Sequence, residues 1–133
     1  MTCRITSRHG ALTGLAIVLA GPAAAAEPDL VNGRLLFSRC GICHALTNAG
    51  PKGKKGPTLA GLFGRKAGMV KGFKYSEAMR AKGIVWSEAT LDTYLTKPSA
   101  YVPGTTMVYS GLRRQSDRRD VIAFLKNTLG SNR

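Results

Sequence analysis

The sequence predicts an all-α domain of about four helices joined by long loops, and three observations carry that expectation. Four segments place apolar residues at helical spacing between recognisable start and stop residues. No run reads as a strand. Gly- and Pro-rich stretches fill the rest, at Ala49–Pro57, Gly61–Gly72 and Lys97–Gly111. With so little regular structure, those loops must wrap something apolar.

The first helix is expected from about Asp29 to Cys40, behind Pro28, with Leu30, Val31, Leu35 and Leu36 as its apolar side. A short second helix spans about Ser76 to Lys82, capped by Ser76 and stopped by Gly83. The third runs from Ser87, a cap residue, to Lys97. Leu91, Tyr94 and Leu95 share one of its faces, and Pro98 ends it. The fourth begins near Ser116 with Asp117 in its first turn. Val121, Phe124, Leu125 and Leu129 form its stripe before Gly130.

The residues Cys40-Gly41-Ile42-Cys43-His44 show what the loops wrap. C-x-x-C-H is the attachment signature of c-type haem. Two thiols add across the two haem vinyl groups, and two intervening residues let one turn of chain present both sulfurs to one porphyrin edge. The adjacent His then lies under the iron. A structural zinc site would need a fourth protein ligand beyond Cys40, Cys43 and His44. A thioredoxin-type dithiol would need a βαβ context that the chain lacks. A plain disulfide stays open as the alternative in an oxidising compartment.

The chain has 133 residues, one domain's worth. Residues 1–26 read as a secretory signal peptide: Arg4, Arg8 and His9 are basic, Ala11 to Ala20 is apolar, and Ala24-Ala25-Ala26 offers a cleavage site before Glu27. The apolar stretch is short for a membrane span of about 20 residues, which disfavours a retained anchor. Export fits thioether haem, and cleavage discards Cys3 and leaves no spare thiol. It takes away Arg4 and Arg8 from a chain of 20 Lys+Arg and 7 Asp+Glu, so the domain 27–133 carries +11. Charge this basic implies nucleic acid, anionic lipid or an acidic protein. Nucleic acid is set aside for an exported chain without a recognition motif. An acidic protein face is the expected partner, with peripheral membrane association as the other use of the charge.

Beyond the haem signature, Gly56-Pro57-Thr58-Leu59, Gly61-Leu62-Phe63-Gly64-Arg65-Lys66, Gly72-Phe73-Lys74-Tyr75-Ser76, Lys82-Gly83-Ile84-Val85-Trp86, Tyr94-Leu95 before Lys97-Pro98, Pro103-Gly104-Thr105-Thr106-Met107 and Arg118 through Leu125 follow in order. This combination resembles the class I cytochrome c family, its mitochondrial-type and bacterial cytochrome c2-like members, from about Gly33 to Leu129. The resemblance implies the class I cytochrome c fold wrapped around one haem c, covalently attached through Cys40 and Cys43. It implies His44 and Met107 as the two axial iron ligands, with Met69 and Met79 lacking Met107's sequence context. It implies that the Pro57 carbonyl accepts from the second ring nitrogen of His44, and that Arg65, Tyr75, Trp86 and Thr105 serve the haem carboxylates. Tyr94 would lie beside the methionine ligand, and Leu59 and Leu125 would be apolar haem contacts.

Some residues depart from the family pattern, and the His44–Pro57 loop also differs in length from the mitochondrial form. The aromatic common four residues before the first cysteine is Leu36, with Phe37 one place off, which puts the packing of the first helix on the last in doubt. Met79 stands where a polar asparagine is usual, so a drier pocket is expected. Thr106 replaces the common lysine before the ligand methionine.

The function implied is a non-enzymatic, monomeric, periplasmic carrier of single electrons between respiratory or photosynthetic complexes. A cytochrome bc1-type donor and a terminal oxidase or reaction-centre acceptor are the partners implied. Lys52, Lys54, Lys55, Lys66, Lys74, Arg113 and Arg114 are candidates to steer acidic-faced partners. The alternatives are a haem subunit of a larger redox complex and a ligand-binding or peroxidase-like haem protein. Met107 in its motif argues against an open coordination position.

Overall fold

The computed structural model describes residues 26–48 and 54–130. They form five helices: α1 Leu30–Gly41, α2 Glu77–Ala81, α3 Glu88–Thr96, α4 Pro98–Tyr101 and α5 Gln115–Gly130. Extended pairing among the described residues is confined to an isolated antiparallel bridge between Lys66 and Val85. The expected signal peptide lies outside the described residues up to position 25, as do Cys3, His9 and Lys52.

Short polar side chains start the helices where the sequence places caps. The Asp29 carboxylate accepts from the Val31 and Asn32 N–H groups at 2.9 and 3.0 Å. Ser76 accepts from Met79 N–H at 3.2 Å. Ser87 accepts from Thr90 N–H at 3.1 Å while the Thr90 hydroxyl accepts from Ser87 N–H at 2.8 Å, a reciprocal box. Each cap contributes about 1 kcal/mol.

Two expectations are corrected. Pro98 does not lead into loop. α3 has ended at Thr96, and Pro98 opens the short α4, in a first turn where no N–H donor is needed. The inward side of α1 is Gly33 and Phe37 rather than Leu30, Val31 and Leu35; Val31 is 72% and Leu35 67% exposed. The reason is a close helix crossing. α1 and α5 form the most extensive helix pairing, and a Cβ at Gly33 would lie 2.2 Å from the Asp120 carbonyl oxygen. Phe37 then meets Phe124, with ring centroids 5.5 Å apart. The aromatic one place off thus supplies the packing that its position had left in doubt.

Two buried charges fix the helices to one another. Asp120 accepts from Asp29 N–H at 3.1 Å, Asn32 Nδ2 at 2.9 Å and the Arg119 guanidinium at 3.2 Å, tying α5 to the start of α1. Burial pushes the Asp120 carboxyl upward in pKa, but the bonds from Asn32 and Asp29 and the Arg119 charge outweigh it and hold the group below its ordinary value. Arg118 donates to Asp92 at 2.7 Å and to the Leu112 and Arg113 carbonyls at 2.9 and 3.0 Å, joining α5 to α3 and to the loop between α4 and α5. Val102, Val121 and Ile122 are among the most buried core residues, and core residues line a cavity.

Candidate functional site

The end of α1 delivers the motif. The chain continues beyond Gly41 in a turn where the N–H groups of Cys43 and His44 both donate to the Cys40 carbonyl, at 3.0 and 2.9 Å. Cys40, Cys43 and His44 therefore leave the backbone from one helical turn, and all three line a single cavity of about 270 Å³. The two sulfurs are not bonded to each other. Burial pushes the Cys40 thiol above its ordinary pKa, with the neighbouring Arg39 charge opposing.

A second segment is stitched alongside this turn. Gly56 N–H donates to the Cys43 carbonyl at 3.0 Å and Leu59 N–H to the Ala45 carbonyl at 2.8 Å. The Thr58 hydroxyl donates to the Thr47 carbonyl at 2.9 Å, and Lys54 Nζ donates to the carbonyls of Gly41 and, at 3.2 Å, Ile42. Between these stitches the Pro57 carbonyl lies 2.7 Å from His44 Nδ1. A carbonyl can only accept, so Nδ1 carries the proton and Nε2 of the neutral ring keeps its lone pair. Burial lowers the His44 pKa, opposed by the bond to Pro57 and reinforced by the Lys54 charge, which favours that neutral form. Gly56 makes room for the ring: a Cβ there would lie 2.5 Å from His44 Cε1.

The structure brings Pro57, Leu59, Arg65, Tyr75, Trp86, Tyr94, Thr105, Met107 and Leu125 to the walls of the same cavity. The Tyr94 hydroxyl donates to Met107 Sδ at 3.0 Å, and the Thr105 hydroxyl accepts from Met107 N–H at 3.2 Å. Burial raises the Tyr94 pKa, with a hydrogen bond to Thr105 opposing. Trp86 packs edge-on to Tyr94 at 5.1 Å between centroids. Arg65 spends one guanidinium nitrogen on the Ala60 carbonyl at 2.5 Å and another on the Thr58 carbonyl at 3.0 Å. Met79 is buried and lines the cavity, whereas Met69 is 63% exposed on the surface. The cavity reaches solvent beside Lys55, Thr106 and Val108.

Sequence reasoning missed Phe73 and Tyr109 on the cavity wall. An aromatic three residues beyond Thr106 at the end of the methionine loop was a signal for Tyr109. Lys54 was read as a free surface charge. It is half-buried and bonded to backbone, a role that only the folded loop reveals.

Residues 30–129 match the family model described as cytochrome c. The chain belongs to the cytochrome c family. It is 48% identical over 122 residues to cytochrome c2 of Rhodomicrobium vannielii, covering 90% of this chain and 94% of that protein. It is 40% identical over 113 residues to cytochrome c2 of Blastochloris viridis, covering 85% and 88%. To cytochrome c of Stellaria longipes it is 48% identical over 103 residues, covering 77% and 94%. This places it among the class I c-type cytochromes, cytochrome c2-like, as an electron carrier and not an enzyme, with one covalent haem c.

The residues present fit that cofactor. Two free thiols, Cys40 and Cys43, supply the haem-attachment motif on the cavity wall. His44 offers an unprotonated ring nitrogen, Met107 a thioether, and the remaining wall is mostly apolar and aromatic. None of the described residues accepts from the Trp86 indole N–H. No side-chain nitrogen or oxygen there is both sealed and unpartnered, so that N–H is left accessible.

Proposed function

We propose that the chain is a soluble periplasmic cytochrome c2-type carrier in which His44 and Met107 would hold the haem iron. The observation that carries this is the pair of oriented donors on one cavity wall: an imidazole whose Nδ1 is committed to Pro57, and a thioether held by the Tyr94 hydroxyl. When bound, the haem supplies an iron centre that gains and loses one electron. The chain's own work is to hold that centre still. Pro57 fixes the His44 ring and raises its basicity, and Tyr94 and Thr105 fix the methionine loop. Met79, Leu59 and Leu125 exclude water. Arg65, Tyr75, Trp86 and Thr105 are the partners proposed for the haem carboxylates. Trp86 is the clearest, with its accessible N–H. Arg65 acts with part of its donor fork already spent on the backbone.

Cleavage after Ala26 and export to the periplasm belong to this proposal, supported by the leader-like pattern of residues 1–26. So do the partners, acidic-faced complexes that give and accept single electrons. No helix among the described residues is long and apolar enough to cross a membrane. The deciding experiment is the near-infrared spectrum of the oxidised holoprotein, where a methionine–iron bond gives a weak absorption band. Met107→Ala should abolish it and lower the potential. Retention of the band in Met107→Ala would move the ligand elsewhere and overturn the assignment.

A further inference from the structure

We propose that Lys54 is a positioning residue for the His44 imidazole, whereas its neighbour Lys55 is free of such contacts. Lys54 Nζ reaches back to two carbonyls, Gly41 at the last position of α1 and Ile42 just beyond it. Both residues lie between the two thiols of the attachment motif. A helix leaves its last carbonyls without intrahelical partners and carries negative dipole there, so a cation at that end is doubly placed. Lys54 is half-buried, whereas Lys55 is exposed on the cavity rim.

The contacts around Lys54 form a row. Going along the chain, Lys54 holds Gly41 and Ile42, Gly56 holds Cys43, Pro57 holds His44, and Thr58 and Leu59 hold Thr47 and Ala45. Lys54 supplies the first stitch and the one charged stitch in this row. Pro57 cannot donate a backbone bond, so the position of its carbonyl beneath His44 depends on the stitches to either side. Hydrogen bonds from charged donors are roughly twice as strong as neutral ones, so removing this one should loosen the row from its open end towards Pro57.

This inference rests on the reading of His44 as axial ligand, and the test separates the two. The probe is exchange of the His44 Nδ1–H with solvent, measured by NMR on the reduced holoprotein, for wild type, Lys54→Met, Lys54→Arg and Lys55→Met. We expect Lys54→Met to exchange about tenfold faster or more, the effect of losing one charge-assisted bond. Lys54→Arg, which keeps a charged donor, should return the rate towards wild type, and Lys55→Met should leave it unchanged. Amide protection within α5 should stay at the wild-type level in all four proteins. Unchanged His44 exchange in Lys54→Met overturns the inference, as does an equal acceleration in α5, which would mean global loosening. His44 ring protons outside the haem ring-current range in wild type would instead overturn the ligand reading beneath it.

Discussion

Gly56→Ala is the sharpest test of how the site is built. A Cβ at that position would lie 2.5, 2.8 and 2.9 Å from Cε1, Nδ1 and Nε2 of His44, where ordinary carbon contacts begin near 3.5 Å. Relief therefore requires a movement of about 1 Å. The ring cannot retreat freely because Nδ1 is held by the Pro57 carbonyl at 2.7 Å. The loop cannot lift freely because Gly56 N–H is held by the Cys43 carbonyl at 3.0 Å. Either route gives up one or two hydrogen bonds worth about 1 kcal/mol each, or strains a packed contact by about 1–3 kcal/mol. We expect a loss of about 2–3 kcal/mol in guanidinium unfolding of the oxidised holoprotein. Gly61→Ala is the control: its Cβ would meet nothing within 4 Å, but φ is +63°, so backbone strain alone costs about 1 kcal/mol. A Gly56→Ala loss no larger than the Gly61→Ala loss would refute the claim that the glycine is there to admit the imidazole.

Further outcomes can be checked in the same system. Because the Asp120 pKa is held below its unfolded value, its contribution is fully present above about pH 4 and drains away as pH falls through the lower folded value. Unfolding midpoints taken from pH 6 to pH 2.5 should drop less steeply in Asp120→Asn than in wild type, and parallel curves would show that Asp120 carries no such linkage. Arg118→Met leaves two carbonyls and the Asp92 carboxylate without a buried donor. It should cost about 2–4 kcal/mol in denaturant unfolding while leaving the methionine–iron band intact. Lys55→Glu should slow electron transfer to an acidic acceptor at low ionic strength, and the gap to wild type should close as salt is raised. A gap indifferent to salt would remove Lys55 from the docking face.

What could be read from the chain was local. Asp29, Ser76 and Ser87 announce helix starts because a short side-chain oxygen satisfies N–H groups two or three residues on, a relation contained in adjacent sequence. The attachment motif is likewise complete within five residues. Most of the cavity wall was legible through the ordered motifs shared with the cytochrome c family. Other features depend on residues far apart. Gly33 faces inward because of Asp120, and Arg118 is buried because Asp92 and two loop carbonyls converge on it. No local pattern announces either pairing. The helical periodicity of α1 was misread because four exposed and half-exposed aliphatic residues outweighed one glycine and one phenylalanine. α4 was missed because four residues after a proline carry too little pattern to distinguish a helix from a turn.

The distribution of the acids explains why the basic character of the chain bears on the cavity mouth. Five of the seven acidic residues are engaged within the fold. Asp29 caps α1, Glu88 pairs with Lys126, Asp92 with Arg118, Asp117 with Arg114, and Asp120 with Arg119. Among the described residues no Asp or Glu lines the cavity, whereas Arg39, Lys55 and Arg65 do. Four of these acids answer cations that do not line the cavity, and the positive charge on its wall has no acid beside it there. Positive charge in this place supports the proposed haem-carboxylate contacts and the proposed acidic protein partner for one electrostatic reason. The pairing of Arg114 with Asp117 also divides the sequence's candidate docking charges. Arg114 acts partly against its own acid, while Lys55, Lys66 and Lys74 are exposed without an ion-pair partner among the described residues. Among the described residues four cations, Arg114, Arg118, Arg119 and Lys126, are answered by an acid, and those on the cavity wall, Arg39, Lys55 and Arg65, are not.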